Sequence, residues 1–157
     1  MKGYKSNGIL DKDEIKKPSD ARLKKGPVVI IECVENIPCN PCVAVCPLSA
    51  IEMEDINDTP DVDHDRCTGC GICVTECPGL AIFVIDCSKE GHCLVTVPYE
   101  YLPVPEKGDT VVVLDREGND VGEAEVVRVR ESGKTYAVTL KVEPGAVWDV
   151  RGLEVRR

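Results

Sequence analysis

The sequence predicts an α+β chain in two parts: a cysteine-rich unit of short strands and short helices with a pseudo-twofold internal repeat, then a small antiparallel β-barrel. Three observations predict it. Two β-branched runs, Pro-Val-Val-Ile-Ile-Glu-Cys at 27–33 and Leu-Ala-Ile-Phe-Val-Ile-Asp-Cys at 80–87, read as buried strands. Between them stand two cysteine arrays, each with a short apolar or small-residue segment of one or two turns, joined through 50–53 and a returning segment at 61–63. Beyond residue 105 the cysteines stop, and segments 110–114, 123–130 and 135–142 alternate or run apolar between turn-forming stretches at 115–120 and 131–134.

Residues 1–26 are polar and mixed in charge, without a hydrophobic period, and are expected to form an arm that does not fold alone and either docks on a partner or stays disordered. The cysteine-rich unit takes 27–97. A Pro-rich linker, 98–107, follows, with Tyr-Glu-Tyr-Leu-Pro-Val-Pro at its start. Residues 108–157 are expected to close into a barrel of SH3-like or OB-like kind, because closure removes exposed strand edges. Tyr136, Val138, Leu140 and Val142 share one face of the last long strand by its period of two.

Composition excludes several classes. At 157 residues there is no room for a large catalytic core beside a second unit. The formal charge of -9 opposes nucleic-acid binding, which needs a basic surface to displace counterions, and suits docking on a basic patch of a partner. No run of about 18 apolar residues predicts a membrane span. The start of the chain stays polar through Lys25 rather than resembling a signal peptide, so the expected compartment is the cytoplasm. Nucleophile–base pairs, phosphate loops and dinucleotide fingerprints are missing from the sequence, so the chain is expected to be non-catalytic.

Ten cysteines against one Phe, one Trp and two Met require a use for sulfur other than packing. The second array, Cys67-Thr-Gly-Cys70-Gly-Ile-Cys73-Val-Thr-Glu-Cys77-Pro78, has the C-x2-C-x2-C-x3-C-P spacing, in which three closely spaced cysteines on a loop can wrap three irons of a 4Fe-4S cubane. Gly69 and Gly71 permit the close backbone approach and unusual dihedrals that such a wrap needs and that a side chain would block. In the two-cluster ferredoxins that this spacing resembles, the fourth cysteine reaches across to the other cluster, and the resemblance implies that Cys46, Cys67, Cys70 and Cys73 hold one cluster while Cys77 joins Cys39 and Cys42 at the other. The first array departs from the pattern: Asn36 stands at the usual first ligand position, and Cys33 lies three residues earlier. Cys33 is the preferred fourth ligand. The alternatives are Cys87 or Cys93, a non-cysteine ligand, or a three-iron cluster lacking one corner. If the flanking strands pair antiparallel, Cys33 and Cys87 are expected to lie near one another.

Zinc is the rival metal, since Cys39, Cys42, Cys67 and Cys70 alone would make a four-thiolate site, but it leaves four motif cysteines unused. The extra cysteines Cys87 and Cys93 otherwise read as small buried hydrophobes or a loop thiol. His64 and His92 read as loop residues, and the acidic stretch 52–65 as a solvated hairpin without the loop spacing of an EF-hand. Trp148, Tyr99 and Tyr101 read either as interface anchors or as core.

On these motifs, residues 27–87 resemble a bacterial-type ferredoxin with two 4Fe-4S clusters. The wording Ile-Glu-Cys-Val-Glu-Asn-Ile-Pro-Cys-Asn-Pro-Cys, with Cys-Pro-Gly-Leu-Ala-Ile and Pro-Tyr-Glu-Tyr-Leu-Pro later, is similar to ferredoxin-like subunits of flavin-dependent proline, hydroxyproline and opine dehydrogenases. The resemblance implies an electron-transfer subunit in a hetero-oligomer. Its partners would be a flavoprotein dehydrogenase subunit, with FAD there and not on this chain, and an electron acceptor. A free ferredoxin carrier is the alternative.

Overall fold

The structure is a computed structural model, and it describes residues 3–156. In chain order the helices are α1 (Gly3–Asn7), α2 (Asp20–Lys25), α3 (Pro41–Val45) and α4 (Ile72–Glu76). The strands are β1 (Val28–Ile31), β2 (Ile51–Glu52), β3 (Asp61–Val62), β4 (Ile82–Asp86), β5 (Cys93–Tyr99), β6 (Thr110–Leu114), β7 (Asp120–Ser132), β8 (Thr135–Val142) and β9 (Gly152–Glu154). Seven strands form one antiparallel sheet in the order β1-β4-β5-β8-β7-β6-β9, and β2 and β3 form a separate hairpin.

The two β-branched runs pair as expected, Val28 opposite Ile85 and Ile31 opposite Ile82. Alternate residues of this pair face opposite layers, following the two-residue period of a strand. Ile30, Phe83 and Ile85 join one core with Val95, Val97, Val126, Val138 and Leu140. Val29, Ile82 and Val84 join a second core with Val74, Ile51, Val62, Cys42 and Cys73. Both cysteine arrays are therefore packed on one face of the sheet.

The expected barrel is corrected. β9 pairs with β6 at the sheet's edge, and the ladder does not close. The physical reason is β5, a seven-residue strand whose one edge pairs β4 and whose other edge pairs β8 from Cys93 opposite Val142 to Tyr99 opposite Tyr136. The downstream strands extend the sheet begun by β1 and β4 instead of curling on themselves. Val138, Leu140 and Val142 do share one buried face, with Tyr136 packed against it.

The arm finds its partner within the chain. Leu10, Ile15 and Leu23 pack on the larger core, and Ser19 caps α2 by accepting from the Arg22 amide at 3.2 Å. Met1 and Lys2 lie outside the described residues. Tyr99 is buried, and its hydroxyl donates to the Pro103 carbonyl at 3.0 Å, whereas Tyr101 and Leu102 are exposed. Trp148 packs on the core edge, with Lys17 over its ring at 5.0 Å.

Just past β1, Glu32 ties both halves together. It accepts from Arg116 at 2.7 and 2.9 Å and from Arg151 at 2.6 Å, and the Arg151 guanidinium lies 5.0 Å from the Phe83 ring centre. Burial opposes the ionised carboxyl, yet the bonds and charges of Arg116 and Arg151 outweigh it and hold Glu32 below the ordinary value of 4.5. Glu32→Gln leaves two guanidiniums short of their partner and is expected to cost about 3–5 kcal/mol in urea unfolding. A depressed folded pKa means that the stabilisation is fully present above 4.5 and is lost as pH falls through the folded value. The gap between wild type and variant should thus be constant above about pH 6 and shrink on acidification below it.

Candidate metal centres

α3 and α4 are one-turn helices that do the same job twice. α3 starts with Pro41 in its first turn, where the missing N–H costs nothing, and α4 starts after Gly71, whose φ of 78° is left-handed. Each helix carries a cysteine in its first turn, Cys42 or Cys73, and ends on a second, Cys46 or Cys77. The end residues have left helical backbone: Cys46 has φ -69° and ψ 113°, and Cys77 has φ -76° and ψ 114°. Both precede a proline, whose ring clashes with helical backbone at the residue before it. The last cysteine of each array is thereby turned away from its own loop.

The result is an exchange between arrays. One cavity is bordered by Cys33, Cys39 and Cys42 with Cys77, walled by Ile31, Ile37 and Ile82 and rimmed by Glu35 and Asp58. The other is bordered by Cys67, Cys70 and Cys73 with Cys46, walled by Val29, Ile51 and Ile72. The remaining two cysteines are joined to each other: Cys87 and Cys93 form a disulfide across the β4–β5 turn. The expected proximity of Cys33 and Cys87 is corrected by the register. Cys33 lies beyond the Ile31–Ile82 end of the ladder and Cys87 beyond the Val28–Ile85 end, roughly 20 Å away at about 3.3 Å per residue. Asn36 turns aside, donating its amide to the Asn57 carbonyl at 3.2 Å.

Burial pushes the Cys33 thiol up, partly offset by the Glu35 amide, and the Cys77 and Cys39 thiolates push it further. Cys42 is raised likewise, by burial and then by Cys77, Cys39 and Cys33. Cys73 is pushed up to about 12, by burial first and then by Cys67, Cys70 and Cys46. Bound metal cations would offset the burial and mutual repulsion that oppose the thiolate form at Cys33, Cys42 and Cys73. Amides already face the sulfurs: Ala50 donates to Cys46 Sγ at 3.3 Å, Gly69 to Cys67 Sγ at 3.3 Å and Ala81 to Cys77 Sγ at 3.5 Å. Four soft donors with inward amides around an apolar cavity fit a cubane. A single zinc held by Cys39, Cys42, Cys67 and Cys70 would have to draw two ligands from each of the two cavities and would leave the other four motif cysteines unused.

His64 is half-buried, with Nε2 buried and unpartnered, and burial followed by the charges of Lys16 and Arg22 holds its pKa below the ordinary value. His92 stands in the loop that the disulfide closes. The acidic stretch is the β2–β3 hairpin, with Glu52 paired to Arg66 at 3.7 Å. Two residues that sequence reasoning passed over reach the second cavity's loop: Arg22 from α2 donates to the Cys67 carbonyl at 2.7 Å, and Arg130 from β7 to the Gly71 carbonyl at 2.7 Å. No local pattern marks either. Among the described residues no helix is long and apolar enough to cross a membrane.

Residues 32–81 match the 4Fe-4S dicluster domain family. Similar proteins include an uncharacterised ferredoxin of Methanocaldococcus jannaschii, 41% identical over 37% of this chain and 34% of the relative. Pyruvate synthase subunit PorD of Methanothermobacter marburgensis is 44% identical over 29% of this chain and 51% of its own length. NADH-quinone oxidoreductase subunit I of Pelobacter propionicus is 42% identical over 33% of this chain and 32% of its own. The chain thus spans about a third to a half of the length of these relatives. No solved structure matches. The chain carries a ferredoxin-type iron–sulfur domain, the kind of domain that serves electron transport.

Gly69 has φ +69°, and a Cβ there would meet the Pro27 carbonyl carbon at 2.4 Å, so the backbone at Pro27, just before β1, would have to shift. Gly118 also has positive φ, at +84°, but has open space around it. In thermal or urea unfolding, Gly118→Ala is expected to cost about 1 kcal/mol and Gly69→Ala roughly 2–4 kcal/mol.

Proposed function

We propose that this chain is a non-catalytic electron-transfer subunit that relays single electrons through two 4Fe-4S clusters for a flavin-dependent amino-acid dehydrogenase, with FAD on a partner subunit. The observation that carries the reading is the exchange of the last cysteine between the two arrays. It turns eight cysteines into two quartets, Cys33, Cys39, Cys42, Cys77 and Cys46, Cys67, Cys70, Cys73, which would each hold one cubane. When bound, the cubanes supply one-electron chemistry.

The chain's own residues do the rest. Ile31, Ile82, Val29 and Ile51 keep water from the cavity walls, and the amides of Ala50, Gly69 and Ala81 stabilise charge on the sulfurs. Cys33 would take the corner that Asn36 leaves open; in support, it borders the cavity with Cys39, Cys42 and Cys77, and Cys87 and Cys93 are bonded to each other. The net charge of -9 suits a basic docking face on the partner. Support for a subunit role comes from the relatives named as subunits of pyruvate synthase and of NADH-quinone oxidoreductase. Support for a flavin partner is the resemblance of 31–42 and 98–103 to subunits of amino-acid dehydrogenases.

Anaerobic purification of the native assembly should yield about eight iron and eight sulfide per chain, four of each per cubane, with a flavoprotein co-purifying. A fully loaded lone monomer that reduces unrelated acceptors would favour the free carrier instead. Colourless, sulfide-free protein would end the cluster reading. By electron paramagnetic resonance, Cys33→Ser should alter one cluster signal and Cys87→Ser neither; the reverse would reassign the fourth ligand.

A further inference from the structure

Arg22 is buried and donates four hydrogen bonds, all to backbone carbonyls: His64 at 2.6 Å, Gly26 at 3.1 Å, Pro27 at 2.9 Å and Cys67 at 2.7 Å. Among the described residues no carboxylate lies within salt-bridge reach of it; Asp61, Asp63 and Asp65 line the same cleft but are exposed, Asp61 is paired with Lys16, and Arg66 beside them pairs with Glu52. Arg130 is half-buried, donates to Gly71 at 2.7 Å and likewise has no carboxylate partner there. A buried cation without a bonded counter-charge is costly, and exposed carboxylates across a solvated cleft offset that only weakly. The counter-charge that this arrangement provides is the thiolate quartet whose loop both guanidiniums grip.

The other quartet is treated differently. No side chain among the described residues donates to a carbonyl of 33–46, and its cavity is rimmed by Glu35 and Asp58. The guanidiniums nearest in sequence contact to that end, Arg116 and Arg151, are both engaged with Glu32, whose neighbour Ile31 and not Glu32 itself faces the cavity. Positive charge beside a cluster favours its reduced form, which carries one more electron, and negative charge opposes it.

Resting on the two-cluster reading, we propose that Arg22 and Arg130 are positioning residues that hold the Cys67–Cys73 loop and set the potential of the cluster bound there above that of the other. The single electron then rests preferentially on the Cys46, Cys67, Cys70, Cys73 side. Both residues come from segments outside the cysteine arrays, one from the N-terminal arm and one from the C-terminal half, so these segments tune the site and do more than dock.

The test is a redox titration followed by electron paramagnetic resonance on the full chain, loaded anaerobically, with Arg22→Gln, Arg22→Lys, Arg130→Gln and Arg130→Lys. Cys70→Ser marks which step belongs to the second quartet. That step should be the higher one in wild type. Each Gln variant should lower it, so that at fixed potential the reduced-to-oxidised ratio falls about tenfold, which is about 59 mV for one electron. The other step should stay in place, and the Lys variants should recover most of the shift. Unmoved potentials, equal movement of both steps, Lys behaving as Gln, or the marked step lying lower in wild type would overturn the proposal. If Arg22→Gln sheds its iron, Arg130→Gln at the cavity's margin decides by the same readout. Iron content separates the layers: about eight per chain in wild type keeps the two-cluster reading whatever the potentials do, and far fewer removes it.

Discussion

A residue before proline is driven out of helical backbone, and at Cys46 and Cys77 that steric constraint arranges the whole cysteine-bearing face. Were either residue to continue its helix, its sulfur would stay over its own loop, and each cavity would be bordered by three sulfurs with a fourth misplaced. Because both leave at the same point, α3 and α4 pack side by side and trade one thiol each. Two short helices that could not persist alone, at five residues apiece, are held by that trade and by the sheet beneath them.

The sheet gives the exchange a rigid floor. β1 and β4 carry alternating residues to two cores, so one face supports the cysteine loops through Val29, Ile82 and Val84 while the other buries Ile30, Phe83 and Ile85. β5 extends this floor into the long β7–β8 hairpin, and from β7 Arg130 returns to the loop at Gly71. On the other side the arm delivers Arg22 to the Cys67 carbonyl. The Cys67–Cys73 loop, which approaches Pro27 closely at Gly69, is thus held from three directions: by Pro27 just before β1, by Arg22 of α2 and by Arg130 of β7 at its far end.

What could be read in advance follows from how local each constraint is. The cavity-bordering cysteines and the Cys-Pro exits were legible because their spacing lies within single loops, with Cys33 three residues off the pattern, and the glycines of the second loop stand within it. The antiparallel pairing of β1 with β4 is visible because both are β-branched runs. β5 was hidden by Pro98 and by its nearness to the Pro-rich stretch, and with it went the disulfide between Cys87 and Cys93, the continuity of the sheet and the open edge at β9. The distance from Cys33 to Cys87 was misjudged for a related reason: antiparallel pairing puts the ends of two successive runs at opposite ends of the ladder, a matter of register and not of composition. The arm looked unfoldable because its apolar residues, Leu10, Ile15 and Leu23, have no period; they become a core edge only against a surface made by residues far along the chain.

Arginine is used in two ways here, and the contrast explains why a chain this acidic keeps cations inside. Arg116 and Arg151 meet a buried carboxylate, and their geometry closes on itself: three charges, joined across the fold, whose work is to fasten the C-terminal turn to the end of β1. Arg22 and Arg130 meet only peptide carbonyls. A guanidinium on the Cys67 carbonyl fixes the Cys67–Thr68 peptide, one residue before the Gly69 amide that donates to Cys67 Sγ. The same contact therefore orders the loop and leaves net positive charge beside four sulfurs that repel one another, which is an arrangement that packing alone would not call for and that ligand thiolates would stabilise.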